Sequence, residues 1–178
     1  MFGARGVPVL DADELARAVV APGQPAHADI AAAWPEVIRP DGAIDRRRLG
    51  DIVFADPLAR ARLEAITHPR IRQLGEQRLA ALAAAGHRLA IYEASQLVEA
   101  GRYGDFDGLI VVTASPERQL DRVVTRGGLT REQAAARLAA QLPLADKLRV
   151  ATHVIDNDGD RAATEAQVER LLRKLTGR

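Results

Sequence analysis

A chain of 178 residues has room for one domain, or one domain with a small appendage. With 47% apolar and 28% charged residues it can bury a core and keep a solvated surface, which excludes a disordered chain. Its 25 basic and 24 acidic residues nearly cancel, leaving no broad electrostatic pull toward nucleic acid or an anionic membrane. Only Lys147 and Lys174 are lysines, so the rest of the basic complement is arginine, and its number alone says little about phosphate binding. The absence of cysteine excludes disulfides, thiolate catalysis and Cys-ligated zinc, and fits a reducing compartment. No apolar stretch approaches the roughly 18 residues that span a bilayer. The opening Met-Phe-Gly-Ala-Arg-Gly lacks a signal peptide's basic-then-apolar layout. A soluble cytoplasmic protein is expected.

Val7-Pro8-Val9-Leu10 reads as a short strand running into Asp11-Ala12-Asp13, one of whose aspartates caps a helix carrying Leu15, Val19 and Val20. Pro22-Gly23 stops that helix. Pro25 opens another through Trp34, and Asp45 one through Phe54. Asp56-Pro57 is a cap followed by a proline at the first helical position, predicting a helix to Ile66. His68-Pro69 repeats the device for a helix to about Ala85, before Gly86. The period then changes. Leu89 to Glu93 and Leu109 to Thr113 are short apolar runs, the first ending in an acid. Ser115-Pro116-Glu117 starts a helix that Gly127-Gly128 breaks, and Thr130 with Gln133 forms a capping box for an Ala-rich helix to Gln141. Pro143 opens a further turn or two, His153-Val154-Ile155 is a last strand, and a helix runs from Asp160 to about Leu175. Four apolar runs separated by helices predict strands of a parallel sheet buried on both faces, an α/β fold.

Ligands of such sheets bind beyond the carboxyl ends of the strands, which draws attention to Asp11, Asp13, Glu93 and Asp156. Asp11 and Asp13 are either a general base with its neighbour or a helix cap with a dipole-complementing acid. Glu93 ends an apolar strand, where an acid is costly unless paired or bound to a cation, or else it caps a short helix over Gln96 to Ala100. Arg126, Arg131 and Arg137 lie on two helices joined by Gly127-Gly128; they form a mobile lid over phosphates, or a solvated surface. Arg46-Arg47-Arg48 reads as a solvated helix face. The four histidines share no metal-ligand spacing, and no Gly-x-Ser-x-Gly supports a serine hydrolase.

In order along the chain, several segments resemble the dephospho-CoA kinase family. They are Val7 to Asp13 with Ala16-Arg17, then Asp41-Gly42 with Leu49 to Phe54, Ala55-Asp56-Pro57, and His68-Pro69 with Ile71-Arg72. Leu97 to Gly101, Gly128-Leu129-Thr130, Arg137 to Leu142 and Val154 to Gly159 complete the series. The resemblance covers essentially the whole chain. It implies ATP- and Mg²⁺-dependent phosphorylation of the ribose 3′-hydroxyl of dephospho-CoA, the last step of coenzyme A biosynthesis. It implies Asp13 as the proton acceptor with Asp11 beside it, and Arg17, His68 and Arg72 on the substrate side. Arg126 and Arg137 match lid arginines that meet ATP phosphates, Asn157 sits in the loop near the adenine, and Glu93 stands at the metal position. At that position Glu93-Ala94-Ser95-Gln96-Leu97 replaces the family's Asp-x-Pro-Leu-Leu, and Gly127 replaces a common aspartate. The implied fold is a single P-loop kinase domain of the nucleoside monophosphate kinase type, with a helical acceptor-side insertion at about 22–86 and a lid at about 116–142.

Family members open with a strand and a Gly-x-x-x-x-Gly-Lys-[Ser/Thr] loop. Neither lysine here follows a glycine, and the 178 residues hold no such loop. The resemblance therefore leads to the expectation of a chain that begins within the family's first helix, lacking roughly 20 residues: the central strand, the loop and the start of that helix. Without the amides and lysine that cradle phosphates, no turnover is expected. Two other readings are a non-catalytic regulatory module that binds the nucleotide or the CoA precursor, and a purely structural interaction protein.

Overall fold

The computed structural model describes residues 1–177. Its four strands, β1 (Val9–Asp11), β2 (Ile91–Glu93), β3 (Ile110–Thr113) and β4 (His153–Asp156), fall at the four apolar runs and pair in parallel. They form two separate two-stranded sheets, β1 with β2 and β3 with β4. The helices are α1 (Ala12–Val19), α2 (Pro25–Ala33), α3 (Arg46–Ala55), α4 (Pro57–Ala84), α5 (Pro116–Gly127), α6 (Arg131–Ala139), α7 (Leu144–Val150) and α8 (Arg161–Thr176). Two compact units emerge, one spanning Gly6–Ala94 and the other Met1–Arg5 with the chain from Ser95 onward.

In the Gly6–Ala94 unit the strand register is Val9↔Ile91, Leu10↔Tyr92 and Asp11↔Glu93. Its core gathers Ile30 and Val37, both fully buried, with Trp34, Leu49 and Ala59. The Arg62 guanidinium lies over the Trp34 ring, 5.4 Å from its centroid, so a charged side chain closes the apolar cluster against water. Burying Ile30 and Val37 alone contributes about 1.5–3 kcal/mol each. Gly75 on α4 is buried against Tyr92 of β2: a Cβ there would lie 3.3 Å from Tyr92 Cε2, tight enough to push the ring aside. The glycine thus lets the strand that ends in Glu93 approach the helix.

Three expectations change. The helices predicted to either side of His68-Pro69 are one helix, α4, with Pro69 inside it. A proline there removes one backbone donor, and its ring presses on the carbonyl four residues back. Thr67 Oγ1 and Arg70 Nη1 donate to the Leu63 and Ile66 carbonyls at 2.8 and 2.6 Å, serving the turn that the proline disturbs. Tertiary packing of Leu63 and Ile66 on the core carries the helix through. Secondly, the strands are not buried on both faces, for Val9, Val112 and Val154 are 41%, 57% and 51% exposed. A two-strand sheet cannot shield the side chains that a wide sheet would cover. Thirdly, Gln96 to Ala100 forms hydrogen-bonded turns rather than a helix, with Ala100 N–H donating to the Gln96 carbonyl at 3.0 Å and Arg102 N–H to that of Leu97 at 3.1 Å.

In the second unit the register runs Ile110↔His153 to Thr113↔Asp156, with Val111 and Ile155 buried. The Thr130–Gln133 capping box forms in both directions, and Gly128 ends α5 with a left-handed φ of 58° that L-residues adopt at a cost. Arg131 pairs with Asp121 at 3.0 Å and so ties α6 to α5. The helix α8 buries Val168 and Thr164. Among the described residues no helix is long and apolar enough to cross a membrane.

Candidate functional site

At the carboxyl end of the β1–β2 pair, Asp11 and Glu93 are register partners, so two acids stand on adjacent strands. The two aspartates after β1 divide their work. Asp11 is the N-cap of α1, its Oδ1 accepting from the Asp13 backbone N–H at 2.7 Å. That bond commits Asp11 to ending the strand and starting the helix. Asp13, second in the helix, keeps an exposed carboxylate. Arg17 follows one turn later on the same face, because residues four apart stack along a helix.

Asp13 and Arg17 line an open cavity of about 360 Å³ between α1, α2, α3 and α4. Its walls are largely apolar, formed by Val20, Ile30, Ile44, Leu49 and Leu63. The charged groups at its lining are Asp13, Arg17 and Arg46, and Thr67 adds a hydroxyl. An apolar recess with a few convergent polar groups is the form that small-molecule sites take. His68 and Arg72 do not line it. Thr67 and Ile71, one position before each, do, and a step of one residue turns a side chain about 100° around the helix. His68 is exposed, and Arg72 pairs with Glu76 at 2.8 Å. Arg46 is exposed, as its reading as part of a solvated face expects, and it also lines the cavity, which that reading did not foresee.

Glu93 is exposed, so the desolvation argument drawn from its place in an apolar run does not hold: the end of a two-stranded sheet is open to water. Its oxygens are hard donors of the kind magnesium takes, with one or two carboxylates plus phosphate and water completing such a shell. An exposed carboxylate beside Asp11, with no hydrogen-bond or ion-pair partner among the described residues, fits that requirement. No group of three or more His, Cys, Asp or Glu suited to a metal ion occurs among the described residues.

The remaining predicted residues belong to the second unit. Arg126, in the last turn of α5, and Arg137, in the last turn of α6, are exposed and unpaired among the described residues, whereas Arg131 is committed to Asp121. Asn157 follows β4 and is half-buried. Its N–H donates to the Thr113 carbonyl at 2.8 Å, its own carbonyl accepts from Arg122 at 2.8 Å, and its Oδ1 accepts from the buried Thr164 hydroxyl at 3.1 Å. The neighbouring Asp158 accepts from the Ser115 N–H at 2.9 Å, which, with the Ser115 side chain and the Arg118 and Arg122 charges, holds its carboxyl below the usual range. The loop after β4 is therefore clamped to the start of α5.

One pair had no counterpart in the sequence reading. Lys147 Nζ on α7 stands 2.6 Å from Glu99 Oε1, with the two side chains 15% and 20% exposed. The Glu99 oxygens are out of solvent and meet Lys147 as an ion pair rather than as an aligned hydrogen bond. Burial pushes the Glu99 carboxyl up, but Lys147 and nearby backbone donors outweigh it and hold it below its ordinary value. The available signal was compositional: a lysine is rare in this arginine-rich chain.

The dephospho-CoA kinase family model matches residues 1–163. A dephospho-CoA kinase of Anaeromyxobacter dehalogenans is 50% identical over 99% of this chain and 84% of its own length. One from Geobacter sulfurreducens is 49% identical over 95% of the chain and 86% of its own. Among solved structures, a Thermus thermophilus protein superposes with a TM-score of 0.84 at 34% identity, over 98% of this chain and 87% of its own. A dephospho-CoA kinase from Campylobacter jejuni does so with a TM-score of 0.72 at 26% identity, over 98% and 88%. With parallel strands and flanking helices in the P-loop kinase manner, and relatives matching along nearly its full length, the chain belongs to the dephospho-CoA kinase family.

Proposed function

We propose that the chain serves the transfer of the γ-phosphoryl group of ATP to the ribose 3′-hydroxyl of dephospho-CoA, in the cytoplasm. The cavity that joins Asp13 and Arg17 to an apolar recess is the observation that carries this reading. The recess takes the uncharged arm of the acceptor, and Arg17 meets its phosphates as a charge-assisted donor. The Asp13 carboxylate accepts the hydroxyl proton as the oxygen bonds to phosphorus and the bond to the ADP oxygen breaks. Asp11 shapes the turn that presents Asp13. His68 and Arg72, outside the lining, act at the flank of the acceptor site. Arg126 and Arg137, unpaired among the described residues at the ends of α5 and α6, are the lid groups that meet the phosphates of ATP, and Asn157 orders the adenine loop. Glu93 would hold Mg²⁺, whose charge offsets that of the phosphates.

Phosphoryl transfer relies on positioned donors around the phosphates. No Gly-x-x-x-x-Gly-Lys-[Ser/Thr] occurs in the 178 residues, so a polypeptide of these residues alone is proposed to bind the acceptor without turning over. Calorimetry with dephospho-CoA, alongside an assay of ATP-dependent CoA formation, tests both halves. Saturable binding with no CoA formed is expected. Lack of binding refutes the acceptor site, and steady CoA formation refutes the claim about turnover.

A further inference from the structure

Arginine is plentiful in the Gly6–Ala94 unit, and several of its arginines have partners. Arg39 is paired with Asp41, Arg70 with Asp29, and Arg62 lies on the Trp34 ring. Arg17 and Arg46 differ: both line the cavity, and neither carries a hydrogen-bond or ion-pair partner among the described residues. The other charge in the lining is Asp13, so the recess holds two cations against one anion and has excess positive charge to offer.

Helix stability does not explain Arg46. It is the first residue of α3, with Asp45 as the cap, in a first turn without acids where Arg47 and Arg48 follow it. A positive charge at that end opposes the helix dipole. Of these three arginines only Arg46 lines the cavity. An exposed guanidinium at a helix start, lining an apolar recess that a second one also lines, matches a doubly charged diphosphate attached to an uncharged arm. We infer that Arg46 binds a phosphate oxygen of the acceptor's diphosphate bridge and, with Arg17, brackets it at the mouth of the recess. This assignment rests on the acceptor reading given above.

The test is calorimetry with dephospho-CoA on the unmodified chain and on Arg46→Gln, Arg46→Lys and Arg47→Gln, with circular dichroism melting to show that each is folded. Losing a charge-assisted contact predicts affinity about 10- to 100-fold weaker in Arg46→Gln. Arg46→Lys keeps the charge without the fork and falls between Arg46→Gln and the unmodified chain, while Arg47→Gln binds like the unmodified chain. Equal affinity in Arg46→Gln and Arg47→Gln overturns the assignment of Arg46 and leaves the acceptor site standing. No binding by the unmodified chain overturns the acceptor reading, and this assignment with it.

Discussion

Replacing Lys147 with methionine removes the partner of a carboxylate whose side chain is only 20% exposed, while keeping the length and apolar stem of the lysine. Breaking a fully buried pair costs about 3–5 kcal/mol, because the remaining charge stays uncompensated. Glu99 can escape that uncompensated charge by taking up a proton, so roughly 2–3 kcal/mol is expected at neutral pH. For a chain of this size that lowers the melting midpoint by roughly 4–12 °C. The Glu99 carboxyl is lowered in the folded protein, so the pair's contribution is present above the unfolded carboxyl value of about 4.3 and is lost as pH falls through the lowered folded value. The gap between the unmodified chain and Lys147→Met should therefore narrow markedly from pH 7 to pH 3. The double variant Glu99→Leu with Lys147→Met, which leaves no orphaned charge, should return to within about 1 kcal/mol of the unmodified chain. Denaturant melts followed by far-ultraviolet circular dichroism at both pH values read all three. A Lys147→Met chain as stable as the unmodified one at pH 7, or an equal deficit at both pH values, would refute the electrostatic account.

Two further expectations concern single bonds. Asp11→Ala deletes the α1 cap and should cost about 0.5–2 kcal/mol in the same melts, whereas Asp11→Asn, which also caps, should recover most of it; equal losses would show that Asp11 stabilises in some other way. Thr164→Val keeps the shape of a buried side chain but withdraws the hydroxyl from Asn157 Oδ1, and a loss of about 1–2 kcal/mol is expected, with faster amide exchange in residues 157–159; unchanged exchange would show that Thr164 does not order that loop.

Much of the local architecture was written into short-range chemistry. Asp45, Asp56, Thr130 and Asp160 cap the helices they precede, each by accepting a backbone N–H within three residues, and such bonds need no distant partner. The four apolar runs fall on the four strands because apolar and β-branched residues favour extended backbone, although their parallel pairing needs partners distant in the chain. Asp13 and Arg17, four apart on one helix, were bound to share a face.

Other features depended on what met what in space. Pro69 carries every local mark of a helix start, yet packing of Leu63 and Ile66 on the core holds α4 straight through it. The exposure of Glu93 follows from a sheet of two strands, which no property of the run from Leu89 to Glu93 announces. Arg46 looks like its neighbours Arg47 and Arg48 in sequence, and only the meeting of four helices at one recess sets it apart. The pairing of Glu99 with Lys147 joins residues 48 positions apart, a distance over which composition hints at a special lysine and only the fold supplies its acid. The amino-acid order by itself determined most of the elements and the family, through bonds and periodicities that act within a few residues. The tertiary structure decided which charges are paired and which stand free at the cavity, because the balance between Coulomb attraction and lost hydration is set by neighbours that folding brings together.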